Sequence, residues 1–253
     1  MIVTILGSGT SGGIPMIGCP CAVCQSTDAK DKRLRSSILI QVNGKNFVID
    51  AGPDFRQQML NTGLKELHAI VFTHQHRDHT AGLDDIRAFN YFMQRPMDIY
   101  LTPEVEASIR KEYHYVFEHG TYPGLPEMRL FPISKSPFFI EEVRFTPVEV
   151  LHYHMQVLGF RINHFTYITD ANFISDEELA KVKGTKVLVI NALRKDKHIS
   201  HFSLREALDV IEKVQPEQAW LTHISHQMGL HAAVEAELPP NVHLAYDGLQ
   251  ISL

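Results

Sequence analysis

Cysteine is scarce in this sequence: three residues in 253, all inside GCPCAVC at 18–24. A disulfide framework needs several cysteines spread along the chain, so that class of fold is excluded and stability must come from an apolar core. A chain of this length can bury one. Long apolar runs are also missing. No stretch approaches the roughly 18 residues of a membrane-spanning helix, and no membrane partner is expected. The opening MIVTILGSG has neither the basic start nor the cleavage site of a secretory leader, and reads as a first β-strand. With clustered free thiols, this gives the cytoplasm, a reducing compartment, as the expected location. Positive charge is in deficit too: 24 Lys and Arg against 29 Asp and Glu leave a formal net charge of -5. A general nucleic-acid binder would carry a basic face, so nucleic acid is not the expected partner. No repeat, low-complexity tract or linker divides the chain, which reads as one domain over 1–253.

What is present is a series of short β-rich runs between turn signals: 2–6, 37–42, 46–50, 69–73, 98–102, 143–151, 165–169, 186–191 and 218–222. Asn43-Gly44 marks a tight hairpin turn. Ser175 with Glu178, and Ser203 with Glu206, have capping-box spacing, so helices are expected to start near 176 and 204. The mixture predicts an α/β (α+β) layered sandwich, two mixed sheets with helices packed outside. Residues 90–126, rich in aromatics, are the least regular stretch and read as a helix on the sheet or as a lid over a site. Gly7-Ser8-Gly9-Thr10-Ser11-Gly12 matches a dinucleotide-binding pattern, but Gly13-Ile14-Pro15 follows where that motif needs a helix. A glycine turn that brings backbone close to a buried site is the better reading.

The strongest signal is FTHQHRDHTAGL at 72–83, where His74, His76, Asp78 and His79 fall within six positions. Alternation puts His74 and His76 on one side of the extended part, and the turn into the next helix swings Asp78 and His79 towards a neighbouring point. One loop can therefore feed two adjacent metals. The cysteines form a second candidate. Cys19, Cys21 and Cys24 supply three ligands where a closed zinc site normally takes four.

HxHxDH followed by Gly-Leu resembles the signature of the metallo-β-lactamase superfamily, a four-layer αββα sandwich with a one- or two-metal site at the sheet edges. The resemblance implies His74, His76 and His152 on one metal, Asp78, His79 and His223 on the other, and Asp170 as a bridge. LHYH at 151–154 leaves His152 and His154 both open on spacing. His152 is favoured because it closes its strand and stands seven residues before Gly159, as in the family. GxGxxxGxP, CxCxxC, IDAG, ITD, HFSLREAL and LTHISHQ, in this order, narrow the resemblance to the phosphodiesterases of the PhnP type. That branch implies His226 as the fourth ligand of a structural zinc held by Cys19, Cys21 and Cys24, and His201 as the catalytic histidine. The cofactors implied are two divalent ions, zinc or manganese with iron also accepted by such ligands, plus the one structural zinc. The function implied is hydrolysis of a small phosphodiester, such as a ribosyl 1,2-cyclic phosphate or a 2′,3′-cyclic nucleotide. A metal-bridging hydroxide near Asp78 would attack, and His201 would protonate the leaving alkoxide as a general acid with a pKa near 7. His198 has a lesser claim to that role. Arg56, Arg87 and Arg95 are candidate phosphate contacts. The alternatives are a ribonuclease Z-like endonuclease and a thioester or lactone hydrolase on the same metals, with a non-catalytic metal-binding protein least favoured. The oligomeric state is open, a homodimer being one outcome.

Overall fold

A computed structural model describes residues 1–118 and 124–253. The first half of the chain lays down β1 (Ile2–Gly7), β2 (Ser37–Val42), β3 (Lys45–Ile49), β4 (Ala69–Val71), β5 (Met97–Leu101) and β6 (Met128–Pro132). The second half adds β7 (Phe138–Ile140), β8 (Val143–His152), β9 (Met155–Ile162), β10 (Phe165–Ile168), β11 (Val187–Asn191), β12 (Gln218–Thr222) and β13 (Val242–Leu244), and β14 (Gln250–Ser252) returns to pair with β1. Two seven-stranded sheets result, ordered β14-β1-β2-β3-β4-β5-β6 and β13-β12-β11-β10-β9-β8-β7. Each has an antiparallel half and a parallel half, the parallel strands joined by helical crossovers.

The period-two patterning explains the layers. Ile38, Ile40, Phe47 and Ile49 face inward to meet Phe145, Phe160, Tyr167 and Val189 of the other sheet. The residues between them point outward: Leu39 and Val48 pack under Phe55, Phe89, Val105 and Ile109 of the outer helices. On the other side Leu188 and Ile190 pack under Leu179, Val182, Val210 and Ile211. The expected αββα sandwich is thus present, two sheets face to face with a helical layer on each outer face.

Asn43 and Gly44 take positive φ of 52° and 72°, the hairpin turn expected between β2 and β3. Helices begin at Asp176 and Leu204, as the caps predict. Only the second box is complete. Ser203 Oγ and the Glu206 side chain satisfy each other's backbone, whereas Glu178 sends its carboxylate to Glu149 N at 2.7 Å. Five strands fall outside the nine runs, β6, β7, β9, β13 and β14; of these β6, β7 and β13 are short and lie at sheet edges, and β6 ends on Pro132. In the 90–126 stretch the described part is helix, strand β5 and helix, packed on the sheet through Val105, Ile109 and Tyr113. Residues 119–123, on which the lid expectation partly falls, lie outside the described residues. No helix among the described residues is long and apolar enough to cross a membrane.

Candidate metal centre

The parallel strands of both sheets deliver their C-terminal ends to one region. Beyond β4 the chain runs through Phe72 and Thr73 to His74 and His76, then turns into a short helix, Arg77–Thr80, that carries Asp78 and His79. Backbone contact fixes this loop from behind. Ala51 N donates to His79 O at 2.8 Å and Gly82 N to Ala51 O at 2.9 Å. A Cβ on Gly52 would stand 1.9 Å from Asp78 O, so only glycine permits that approach. From the 90–126 stretch, Tyr113 donates its hydroxyl to Thr80 O at 3.0 Å. The other donors arrive singly: His152 ends β8, Asp170 follows β10 and His223 follows β12.

Three groups of donors share Asp170. His74, His76 and Asp170 form one, Asp78, His79, Asp170 and His223 the second, and His152, Asp170 and His201 the third, the ligand atoms of each lying within 4.8 Å of one another. Asp170 Oδ2 lies 3.6 Å from His74 Nε2 and 3.4 Å from His79 Nε2, while its Oδ1 lies 3.1 Å from His223 Nε2. The His152 ring stands 5.1 Å from that of His76 and 4.5 Å from that of His201, and its donor atom groups with Asp170 and His201. His154 occupies the exposed turn beyond β8 and joins none of these groups. His201 is buried, as is His223 beside it, with ring centroids 4.7 Å apart.

His79 and Asp170 are both fully enclosed. Burial opposes their ionised forms, yet Asp170 and Asp50 together hold the His79 pKa well above its usual value, and His223 and His79 hold Asp170 well below its own. His74 is driven the other way, down, by burial and by the neighbouring His79. His201 falls to about 3, through burial first and the His223 ring second. Burial in this site thus opposes the protonated imidazole that a general acid near pH 7 requires.

Asp50 is the residue that sequence reasoning missed. It sits in IDAG, a motif noted for family likeness without a role, and takes φ of 65°. One carboxylate oxygen accepts from Thr73 N at 2.9 Å; the other accepts from Thr73 Oγ1 at 2.8 Å and His79 Nδ1 at 2.7 Å. The last contact leaves His79 Nε2 facing the centre. Ser200 O does the same for His152, 2.7 Å from its Nδ1. Asp170 and His223 also hold positive φ, 59° and 54°, so three non-glycine residues of the centre adopt the left-handed conformation.

Whether metal suits these residues can be tested on the chain itself. His79 Nε2 and His223 Nε2 are buried with no hydrogen-bond partner, and both face Asp170. Buried polar atoms are normally paired, and a shared cation is the partner this donor set fits. The cysteine cluster meets the same test. Cys19 Sγ and Cys21 Sγ each lie 3.3 Å from His226 Nδ1, and Cys24 completes a four-ligand group. The Cys24 amide and His226 draw the Cys21 thiol down to about 6, towards thiolate.

The remaining candidates lie elsewhere. Arg87 donates to Asp84 O and Arg95 to Leu67 O. Arg56 and Arg95 line a groove with Lys65, His68 and Phe92, and no residue of the centre lines that groove. The Gly7–Gly12 turn opens no helix. It runs beside β12, Thr10 N donating to Ile224 O at 3.1 Å and Ile224 N to Ser8 O at 2.9 Å, which brings the cysteine loop next to His223.

Residues 45–224 match the family model of the beta-lactamase superfamily domain. A solved diphosphatase of the PhnP family is 34% identical, with a TM-score of 0.93 over 100% of this chain and 97% of that one. The chain belongs to the PhnP family. This PhnP-family chain is also 40% identical, over 249 residues, to an octanoyltransferase of Porphyromonas gingivalis. The match covers 97% of the present chain but 50% of that protein, so the PhnP-family chain spans about half the relative's length. Zinc-bound PqqB from Methylobacterium extorquens shares the fold, at 21% identity and a TM-score of 0.76 over the whole of both chains.

Proposed function

We propose that this protein is a dinuclear metal-dependent phosphohydrolase that cleaves a small phosphodiester, such as a cyclic phosphate, or the phosphoanhydride bond of a small diphosphate. The observation that carries the reading is Asp170, shared by three donor groups and faced by His79 Nε2 and His223 Nε2, buried nitrogens with no hydrogen-bond partner. Likeness to a PhnP-family diphosphatase supports phosphoryl chemistry. The net charge of -5 supports a small substrate over RNA.

His74, His76 and His152 would hold one ion, Asp78, His79 and His223 the other, with Asp170 between them. Bound there, two divalent ions supply an activated water at neutral pH and neutralise charge on the phosphoryl oxygens. Asp50 and Ser200 O fix the ring orientations of His79 and His152, so that both imidazoles present Nε2 inward. His201 faces the same space. A phosphoryl anion beside it would favour the protonated ring against the burial that lowers its pKa, and that proton would pass to the departing oxygen.

The test compares leaving groups. His201→Ala should lower turnover of alkyl diesters by about 10²- to 10⁴-fold, the usual contribution of a positioned acid. Aryl diesters and diphosphates, which expel stable anions, should lose far less. Equal losses on all three would remove His201 from the role. The relative named octanoyltransferase favours a second reading, hydrolysis of an octanoyl thioester on the same ions. Faster turnover of octanoyl thioester than of any diester in one screen, run with metal analysis, would replace the first reading with the second.

A further inference from the structure

The loop between β11 and the helix Leu204–Val214 carries Ser200 and His201, and the segment after β12 carries His226 of the cysteine cluster. The two meet at the root of the loop. Ser225 N donates to Leu193 O at 2.9 Å, and Arg194 Nη1 donates to Gln227 Oε1 at 2.9 Å. Both chain neighbours of His226 are therefore bonded to the two residues from which the loop departs.

Arg194 also folds the loop upon itself. Its Nη2 donates to Lys197 O at 2.9 Å and its Nε to Asp196 O at 3.4 Å, while its own carbonyl accepts from Leu204 N at 2.8 Å. A planar guanidinium with five donors can gather carbonyls in this way; a lysine offers a single point. Further along, Asn172 Nδ2 donates to Ile199 O at 3.2 Å and Phe202 N to Ala171 O at 2.7 Å. These bonds lie on either side of Ser200, whose carbonyl faces His152, and of His201.

We propose that Arg194 is a positioning residue: through Gln227 and the loop carbonyls it carries the placement of the cysteine cluster to His201. The cluster, remote from the substrate, thus sets the position of the proton donor. The inference rests on the His201 role proposed above. An arginine that served stability alone would lower all rates together. One that positions an acid changes the ranking of substrates.

Arg194→Met, in the metal-loaded protein, should retain its full metal content and lower alkyl diester turnover by about 10- to 100-fold, the loss expected when a catalytic group moves by about 1 Å. Aryl diester turnover should change little. Gln227→Leu should give the same pattern more weakly, and Arg194→Lys should not restore the alkyl rate. A second measurement is independent of activity. Backbone hydrogen exchange at Phe202 and Leu204 should quicken in Arg194→Met and in Gln227→Leu, while β12 stays protected. Equal loss on both diesters, loss of metal, or unchanged exchange at Phe202 and Leu204 would overturn the proposal. Should the wild-type protein hydrolyse no diester at all, the functional reading fails and the exchange experiment still decides the role of Arg194.

Discussion

The histidine–aspartate centre and the cysteine cluster share one stretch of chain, with His223 in the first and His226 in the second, yet they lie at different depths. The centre joins four residues of the loop after β4 to three that arrive from separate strand ends, and it is deep at its middle: His74, His79, Asp170 and His223 are each at most 2% exposed, with His76 at the open side. The cluster takes three residues from one loop, and Cys19, Cys21 and His226 are only partly covered. Depth lets the centre set protonation by mutual charge, His79 held up by Asp170, which it helps to hold down in turn. Near the surface that lever is weak, and the cluster relies on amide donation to sulfur and on the softness of thiolate. The difference separates a site suited to chemistry from one suited to fastening a loop.

The comparison can be broken at either end. The largest effect is expected at Asp170, the one residue common to all three donor groups. Asp170→Asn should lower hydrolysis by about 10³-fold or more, since several kcal/mol of charge stabilisation depend on the ions, at a factor of ten per 1.36 kcal/mol. Metal analysis should show the centre depleted and the cluster still filled; retention of the full count would separate bridging from chemistry.

Next comes Asp50, which touches the centre only through His79 and Thr73. Asp50→Asn places a donor against other donors. Activity or metal affinity should fall by about 10- to 100-fold, the usual range for a residue that orients a ligand. Competition against a chelator would measure it, and unchanged affinity together with unchanged turnover would reduce Asp50 to packing.

The smallest chemical effect is expected at the cluster. Cys21→Ser or His226→Ala should release one equivalent of zinc and lower the unfolding midpoint by roughly 5 °C, since a structural zinc contributes folding energy directly. Aryl diester turnover at low temperature should stay within a small factor. Unchanged zinc stoichiometry in either variant would show that the four-residue group is not a metal site.

Part of this architecture is legible in the amino-acid sequence. HxHxDH is contiguous, so its residues stay neighbours in any fold, and the strands that fill the inner core announce themselves by composition. The edge strands β6, β7 and β13 do not: three to five residues carry too little pattern, and Pro132 weakens the signal further. Asp50 is visible only as part of a motif. Its role depends on a hydrogen bond to a histidine 29 residues away, which no local pattern records. His154 and His152 look alike on spacing because alternation puts both on one strand face; the hairpin turn at Tyr153 and His154, positive φ at the first, leaves only His152 buried.

The sequence by itself determined the donor types, the principal strands and the contiguous parts of the two clusters, because ligand chemistry and side-chain periodicity are properties of short segments. Tertiary structure decided which donors meet, which nitrogens they present, and that burial draws the His201 pKa down. Burial and long-range charge set those, and both exist only once residues far apart in the chain share one enclosed space.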